Sequence, residues 1–371
     1  MKRKKICFTG GGTAGHVFPG ISVINELCED DGIDSGDFLW IGSNSGMEKR
    51  LVEARGIRFK GIASGKLRRY FSLRNLTDIF KITAGFFQAF FLLLKERPGI
   101  IFSKGGYVSV PPVIAGHILG IPVITHESDY TPGLATKINS MFADRILLSV
   151  DETLKYIKPK YRDKAVVTGN PIRKEFFHGD RAKGLAFLGL DEKKPVILII
   201  GGSQGSGELN SLIYELRHKL TEKYYVVHQT GAGSAGIDGD PIGKSDVAGY
   251  IQLPFIKEEI YHVIAAASLV ITRAGAGSLW ELSAEKKAAL LIPLRGSGTR
   301  GDQVLNANYF RAQDAASVLD DKIITADQLY EAIEDIFTSG KLEKFSSNIG
   351  KMAKPDSAKK IKEIICQFLT R

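Results

Sequence analysis

Short apolar runs recur along the 371-residue chain, and each gives way to a turn rich in Gly, Asn or Ser before a segment with helical spacing of its apolar positions. In the first half, Ile6 to Thr9, Phe38 to Ile41, Ile57 to Ile62, Gly99 to Ser103, Val123 to His126 and Ala165 to Thr168 predict strands. Helices are predicted over Pro19 to Cys28, within Leu73 to Arg97, after Pro112 and after Pro132. The second half repeats the scheme, with strands at Val196 to Ile200, Tyr225 to Gln229, Gly249 to Leu253, Leu269 to Thr272 and Ala288 to Pro293. Its helices run from Glu208 to about Leu220, from Ser278, and after Asp302-Gln303. A last helix within Ser357 to Leu369 places Ile361, Ile364, Ile365 and Phe368 on one buried face. Alternation of this kind predicts an α/β protein with doubly wound parallel sheets. The chain is long for one core, so two domains are expected, with Gly169-Asn170-Pro171 as the hinge.

Leu67 to Arg97 breaks the amphipathic pattern. From Ile79 to Leu94 a helix would be apolar nearly all round, and Arg68, Arg69, Arg74, Lys81, Lys95 and Arg97 rim it. Two readings suit this pattern: a fully buried core helix, or a monotopic helix that dips its aromatics into a membrane and sets its basic rim on anionic lipid. No uninterrupted apolar stretch reaches the roughly 18 residues that span a bilayer.

Composition narrows the class. Hydrophobic residues at 44% and charged residues at 25% describe an ordinary globular protein. Fifty Lys and Arg against 41 Asp and Glu give a net charge of +9, which favours anionic partners: phosphates, nucleic acid or an acidic membrane surface. Cys7, Cys28 and Cys366 are odd in number, far apart and near apolar runs, so they are expected to be reduced core residues. No metal-ligand spacing appears; Asp238-Gly239-Asp240 lies in a Gly-rich loop without a neighbouring strand. The basic start Met1-Lys2-Arg3-Lys4-Lys5 leads into a first strand rather than a signal peptide, because glycines interrupt the apolar run that should follow.

Glycine loops follow several strands. Gly10, Gly12 and Gly15 match G-x-G-x-x-G, but the next strand ends in Gly42-Ser43-Asn44, without the acidic residue that a dinucleotide's ribose requires. Gly201 to Gly207, with Ser203 as an extra hydroxyl donor, suits a phosphate at a helix N-terminus. The turn Arg273 to Gly277 leads into Ser278-x-x-Glu281, which reads either as a capping box or as a ligand-binding turn in which Glu281 meets the ligand. Among the histidines, His16 ends a glycine loop and His126-Glu127-Ser128-Asp129 closes a strand at the same sheet edge; His117, His178, His218 and His262 read as surface or partly buried helix residues.

These segments together resemble one family. Gly11-Gly12-Thr13-Ala14-Gly15-His16, Lys104-Gly105-Gly106-Tyr107, His126-Glu127-Ser128-Asp129, Gly169-Asn170-Pro171-Ile172-Arg173, Gly201-Gly202-Ser203-Gln204-Gly205, Arg273-Ala274-Gly275-Ala276 and Asp302-Gln303 occur in the order seen in the MurG-type N-acetylglucosaminyltransferases of peptidoglycan synthesis. The resemblance implies a GT-B fold, two Rossmann-like domains facing a cleft, with residues 1–172 and about 355–371 forming the acceptor and membrane-docking domain and 173–354 the UDP-GlcNAc domain. It implies an inverting transfer of GlcNAc from UDP-GlcNAc to an undecaprenyl-diphospho-MurNAc-pentapeptide, without metal or cofactor. It also implies a peripheral position on the cytoplasmic face of the membrane, an anionic membrane surface and cell-wall synthesis proteins as partners, and no nucleic acid.

By the same resemblance Ile256 meets the uracil, Glu281 the ribose, Ser203 and Ala276, Gly277, Ser278 and Leu279 the diphosphate, and Gln303 the sugar. Thr13, Ala14 and Gly15 close on the donor, Arg173 sits at the hinge, and Tyr107 and Asp129 lie on the acceptor side. Ala14, Asp302 and Asp129 depart from the family's usual glycine, glutamine and asparagine, and a carboxylate at Asp129 would repel an acceptor diphosphate. The reaction needs a base for the acceptor hydroxyl. His16 is favoured, with Asp129 and then Glu127 as rivals.

Overall fold

In a computed structural model, which describes residues 5–29, 33–65, 74–202, 205–231, 247–296 and 301–370, the chain forms two compact units. Met1–Arg173 and Lys354–Arg371 make the first; Lys174–Ala353 make the second, so Arg173 and Lys354 belong to the first. Ser203, Arg68, Arg69 and Asp238-Gly239-Asp240 lie outside the described residues.

The first unit runs β1 (Ile6–Thr9), α1 (Phe18–Cys28), β2 (Phe38–Ser43), α2 (Glu48–Glu53), β3 (Arg58–Ile62), α3 (Arg74–Glu96), β4 (Ile100–Ser103), α4 (Val110–Ile118), β5 (Val123–Glu127), α5 (Leu134–Phe142), β6 (Arg145–Leu148) and β7 (Ala165–Val167). All of its strand pairings are parallel, in the order β3-β2-β1-β4-β5-β6-β7. Strand order reverses between β1 and β4, where open α/β sheets form their ligand crevice. Cores lie on both faces: Phe8, Phe38, Trp40 and Phe102 on one, and Cys7, Leu39, Ile101 and Leu148 on the other. Such two-sided burial is why these strands read as continuous apolar runs.

The second unit contains α6 (Arg181–Leu188), β8 (Val196–Ile200), α7 (Gly207–Thr221), β9 (Tyr225–Gln229), β10 (Tyr250–Leu253), α8 (Ile260–Ala266), β11 (Leu269–Thr272), α9 (Ala276–Ala284), β12 (Ala288–Leu291), α10 (Asp302–Ala312), β13 (Ser317–Val318), α11 (Ala326–Thr338) and α12 (Lys341–Met352). Its parallel sheet has the order β10-β9-β8-β11-β12-β13 and reverses between β8 and β11. The last helix, α13 (Ser357–Leu369), belongs to the first unit, where Ile361 and Ile365 are buried with Ile21 and Leu27 of α1.

Local expectations fail in several places. β6 and β13 carry no long apolar run of their own; their pairing to β5 and β12 makes them strands. The helix expected after Pro112 begins at Val110, with prolines in its first turn, where a missing N–H costs nothing. His178 lies beyond a short 3-10 turn rather than on a helix. Of the three thiols only Cys7 is buried; Cys28 is exposed at the end of α1, and Cys366 is half-buried against the edge of the first unit's core.

The fully buried reading of α3 also fails. Ala89 and Leu93 are buried, but Phe80 is 70% exposed, Phe91 63% and Phe87 52%. Thr77–Glu96 is also long and apolar enough by composition to cross a membrane, although Thr83, Gly85 and Gln88 break up its apolar run.

Glu285, just beyond α9, is a half-buried carboxylate of the second unit. Burial pushes its carboxyl up to about 7 against the opposing charge of Lys287. A carboxyl with a raised folded-state pKa contributes most at low pH, and its contribution is lost as pH rises from the unfolded value of about 4.3 through about 7. Glu285→Gln is therefore expected to raise the melting temperature at pH 8 by roughly 2–4 °C and to change it little at pH 5. Equal shifts at both pH values would assign the effect to packing instead.

Candidate active site

Both sheet reversals carry polar groups. In the second unit the loops after β8, β11 and β12 enclose a cleft of about 510 Å³, lined by residues including Gly201, Ser206, Glu208, Arg273, Ser278 and Gln303. Arg273 braces its wall: one guanidinium nitrogen donates to Ser206 Oγ at 2.6 Å and to Glu208 Oε2 at 2.8 Å, and another to Ile292 O at 3.1 Å. Three strand-end loops are thus tied through one planar cation, which suits the fork geometry of arginine. Ser206 caps α7, and the first turn of α9 lies on the same cleft.

Helix α9 corrects the capping-box reading. Its N-cap is Gly275 and no side chain caps it, so Ser278 is the third helical residue and Glu281 the sixth. Glu281 is therefore one helical step of three from the cleft-lining Ser278, on the same face. The N–H groups of Ala276, Gly277 and Ser278 fall in the turn that has no intrahelical acceptors, whereas Leu279 N–H donates to Gly275 O at 3.1 Å and its side chain is buried. Gln303 Oε1 accepts from Leu294 N at 2.9 Å, which leaves its NH₂ as a donor in the cleft. Ile256 is buried, with its N–H on Gln229 Oε1 at 3.0 Å, so backbone is what it can present to a ligand.

In the first unit, residues at the ends of β1, β4 and β5 meet. Thr13 and Gly15 are exposed and Ala14 half-buried, around the 3-10 turn Ala14–His16. His16 Nδ1 lies 3.3 Å from Lys104 O. A carbonyl can only accept, so Nδ1 is the donor, and in the neutral ring Nε2 is then the basic nitrogen. Tyr107 packs its ring 2.8 Å from where a Cβ on Gly12 would stand, and Gly12 has φ +86, a conformation that favours glycine. Arg173 lies over the Phe18 ring, 4.4 Å from its centroid.

The first glycine loop does not present an open phosphate cradle. Glu48, fully buried, accepts from Gly12 N at 3.3 Å and from Ser43 N, at the end of β2, at 2.7 Å, so a protein carboxylate already takes one donor of the loop.

Glu127 accepts from Asp129 N at 3.0 Å and from Gly133 N at 2.9 Å, and so organises the loop that leads into α5. Asp129 is half-buried in that loop. His126 is buried with Nε2 on Gly169 O at 2.9 Å, and burial, aided by the charge of Lys104, holds its pKa well below the usual imidazole range. Lys104, 2% exposed, donates to Ser128 Oγ at 2.5 Å. Arg273, Glu208, Glu48 and Lys104 were not singled out as site residues from sequence. For Arg273, Lys104 and Glu208 the signal was present, a charged residue next to a glycine loop at a strand end; for Glu48 there was none, since it is brought to the loop after β1 from 36 positions along the chain.

Two parallel α/β sheets, each with polar loops at its reversal point, define the GT-B class of nucleotide-sugar enzymes. Solved structures of this class superpose on the whole chain: Acinetobacter baumannii MurG with a TM-score of 0.74 at 23% identity, covering 98% of this chain and 99% of that one. The Neisseria meningitidis UDP-GlcNAc 2-epimerase gives a TM-score of 0.70 at 15% identity, covering 98% of this chain and 100% of that one. Residues 6–148 match the glycosyltransferase family 28 N-terminal domain and residues 196–361 its C-terminal domain. The chain belongs to glycosyltransferase family 28. Among its relatives are proteins named UDP-N-acetylglucosamine--N-acetylmuramyl-(pentapeptide) pyrophosphoryl-undecaprenol N-acetylglucosamine transferase. That of Clostridium tetani is 43% identical over 94% of this chain and 96% of its own length. That of Treponema pallidum is 42% identical over 90% of this chain and 87% of its own.

Proposed function

We infer that this enzyme moves GlcNAc from UDP-GlcNAc to the 4-hydroxyl of undecaprenyl-diphospho-MurNAc-pentapeptide, with inversion at the sugar. The observation that carries this is identity of 42–44% to transferases of that name over about nine tenths of the chain. The polar cleft of the second unit supports a nucleotide-sugar donor. There the N–H groups of Ala276, Gly277 and Ser278 and the N-terminus of α7 favour a diphosphate, the NH₂ of Gln303 meets sugar hydroxyls, and Glu281 takes the ribose. His16 Nε2 is the base for the acceptor hydroxyl, and Glu127 shapes the acceptor-side loop. The exposed aromatic face of α3 is the docking surface for an anionic membrane, on whose cytoplasmic side the enzyme works.

Labelled UDP-GlcNAc offered with separate lipid acceptors tests the reading. Label is expected on the muramyl-pentapeptide lipid; label on diacylglycerol, or binding of UDP-GlcNAc without transfer to any acceptor, would overturn it. Glu281→Gln isolates the ribose contact. Because Glu281 is no capping residue, folding should be unchanged while donor affinity falls by roughly tenfold, as for a lost charged hydrogen bond. Titration of UDP-GlcNAc checks this, and undiminished affinity would remove Glu281 from the donor site.

A further inference from the structure

Lys104 is a buried amine at the reversal point of the first sheet, at the end of β4. Its backbone is fixed on both sides: its N–H donates to Thr9 O at 2.8 Å, and its carbonyl lies 3.3 Å from His16 Nδ1. Its ammonium donates to Ser128 Oγ, and Ser128 in turn donates to Asn170 Oδ1. The titratable groups that face it are His16 from the turn after β1 and His126, Glu127 and Asp129 from β5 and its loop. Two of these are carboxylates, and both act on Lys104 through their charge.

We propose that Lys104 is an acceptor-side positioning residue, whose ammonium, held on Ser128, offsets the Asp129 carboxylate so that the loop after β5 can receive an acceptor diphosphate. The proposal rests on the functional reading above and adds the residue that makes an acidic loop compatible with an anionic acceptor. An unoffset carboxylate beside a diphosphate repels it, most strongly where water is excluded. Burial, opposed by Glu127 and Asp129, brings the Lys104 amine down to about 8. Above that pH the amine loses its charge and no longer opposes the two carboxylates, and acceptor binding should weaken.

The test is steady-state transfer of labelled GlcNAc at saturating donor, with acceptor varied, from pH 6.5 to about 9.5, a range set to bracket the lysine. Lys104→Met keeps the volume and removes the charge. It is expected to raise the acceptor KM by roughly tenfold or more at pH 7.5 and to flatten its alkaline rise, with donor KM unchanged within about twofold. Adding Asp129→Asn to Lys104→Met should recover most of the loss, which a merely structural lysine would not allow. An unchanged acceptor KM in Lys104→Met, or no rescue in the double variant, overturns the proposal. If Lys104→Met does not fold, Asp129→Asn alone decides: with no carboxylate left at position 129 for the amine to offset, the alkaline rise in acceptor KM must shrink, and an undiminished rise overturns the proposal. Failure of the wild type to label the lipid acceptor would overturn the functional reading and this proposal together. Transfer by the wild type with an indifferent Lys104→Met would overturn this proposal alone.

Discussion

His16→Ala is expected to lower kcat by roughly 100-fold or more while leaving donor affinity nearly intact, as for loss of a general base. The expectation rests on the hydrogen bond from Nδ1 to Lys104 O, which makes Nε2 the basic nitrogen of the neutral ring. Neither carboxylate rival has that arrangement. Glu127 already accepts two backbone N–H groups, and Asp129 lies in the loop whose charge Lys104 opposes. Asp129→Asn should accordingly act on the acceptor KM rather than on kcat. Single-turnover measurements with saturating substrates separate these effects. Lost turnover in a folded Asp129→Asn protein, with turnover kept in His16→Ala, would exchange the two roles.

The second large effect concerns α3. Phe87→Ser with Phe91→Ser is expected to weaken binding to vesicles of anionic lipid by roughly 100-fold, since each phenyl ring moved out of water contributes about 1.5–3 kcal/mol when fully buried and these would be partly buried. Both side chains are more than half exposed, so the substitutions leave the core intact and the melting temperature should hardly move. Transfer to a short-chain, water-soluble acceptor should continue. Vesicle flotation measures the first outcome, and equal flotation of variant and wild type would remove α3 as the docking surface. Charge reversal at Arg68, Arg69 and Arg74 probes the electrostatic share, worth about 1 kcal/mol for each residue near anionic lipid, and its effect should fade as salt is raised.

Much of the architecture was legible in the chain itself. Continuous apolar runs such as Val196 to Ile200 became central strands with the predicted limits, because a strand buried on both faces leaves no polar position to blur its ends. Glycine loops at strand ends marked both sheet reversals, because only a small residue allows the tight turn and close approach made there, as Gly12 does against Tyr107. Local pattern could not settle what depends on distant partners. Ser278-x-x-Glu281 has the composition of a capping box, yet the helix begins two residues earlier, so neither residue is in register to cap it. The apolar surround of α3 permitted burial or exposure, and packing on the sheet used only the face of Ala89 and Leu93. Glu48 reaches the first glycine loop from 36 positions along the chain and Lys104 meets Ser128 across 24, contacts that no periodicity encodes. The sequence by itself determined where strands, turns and glycine loops lie, since these follow from local sterics and burial. Only the tertiary structure decided which charges share a site, because that depends on strand order, which brings β1, β4 and β5 side by side.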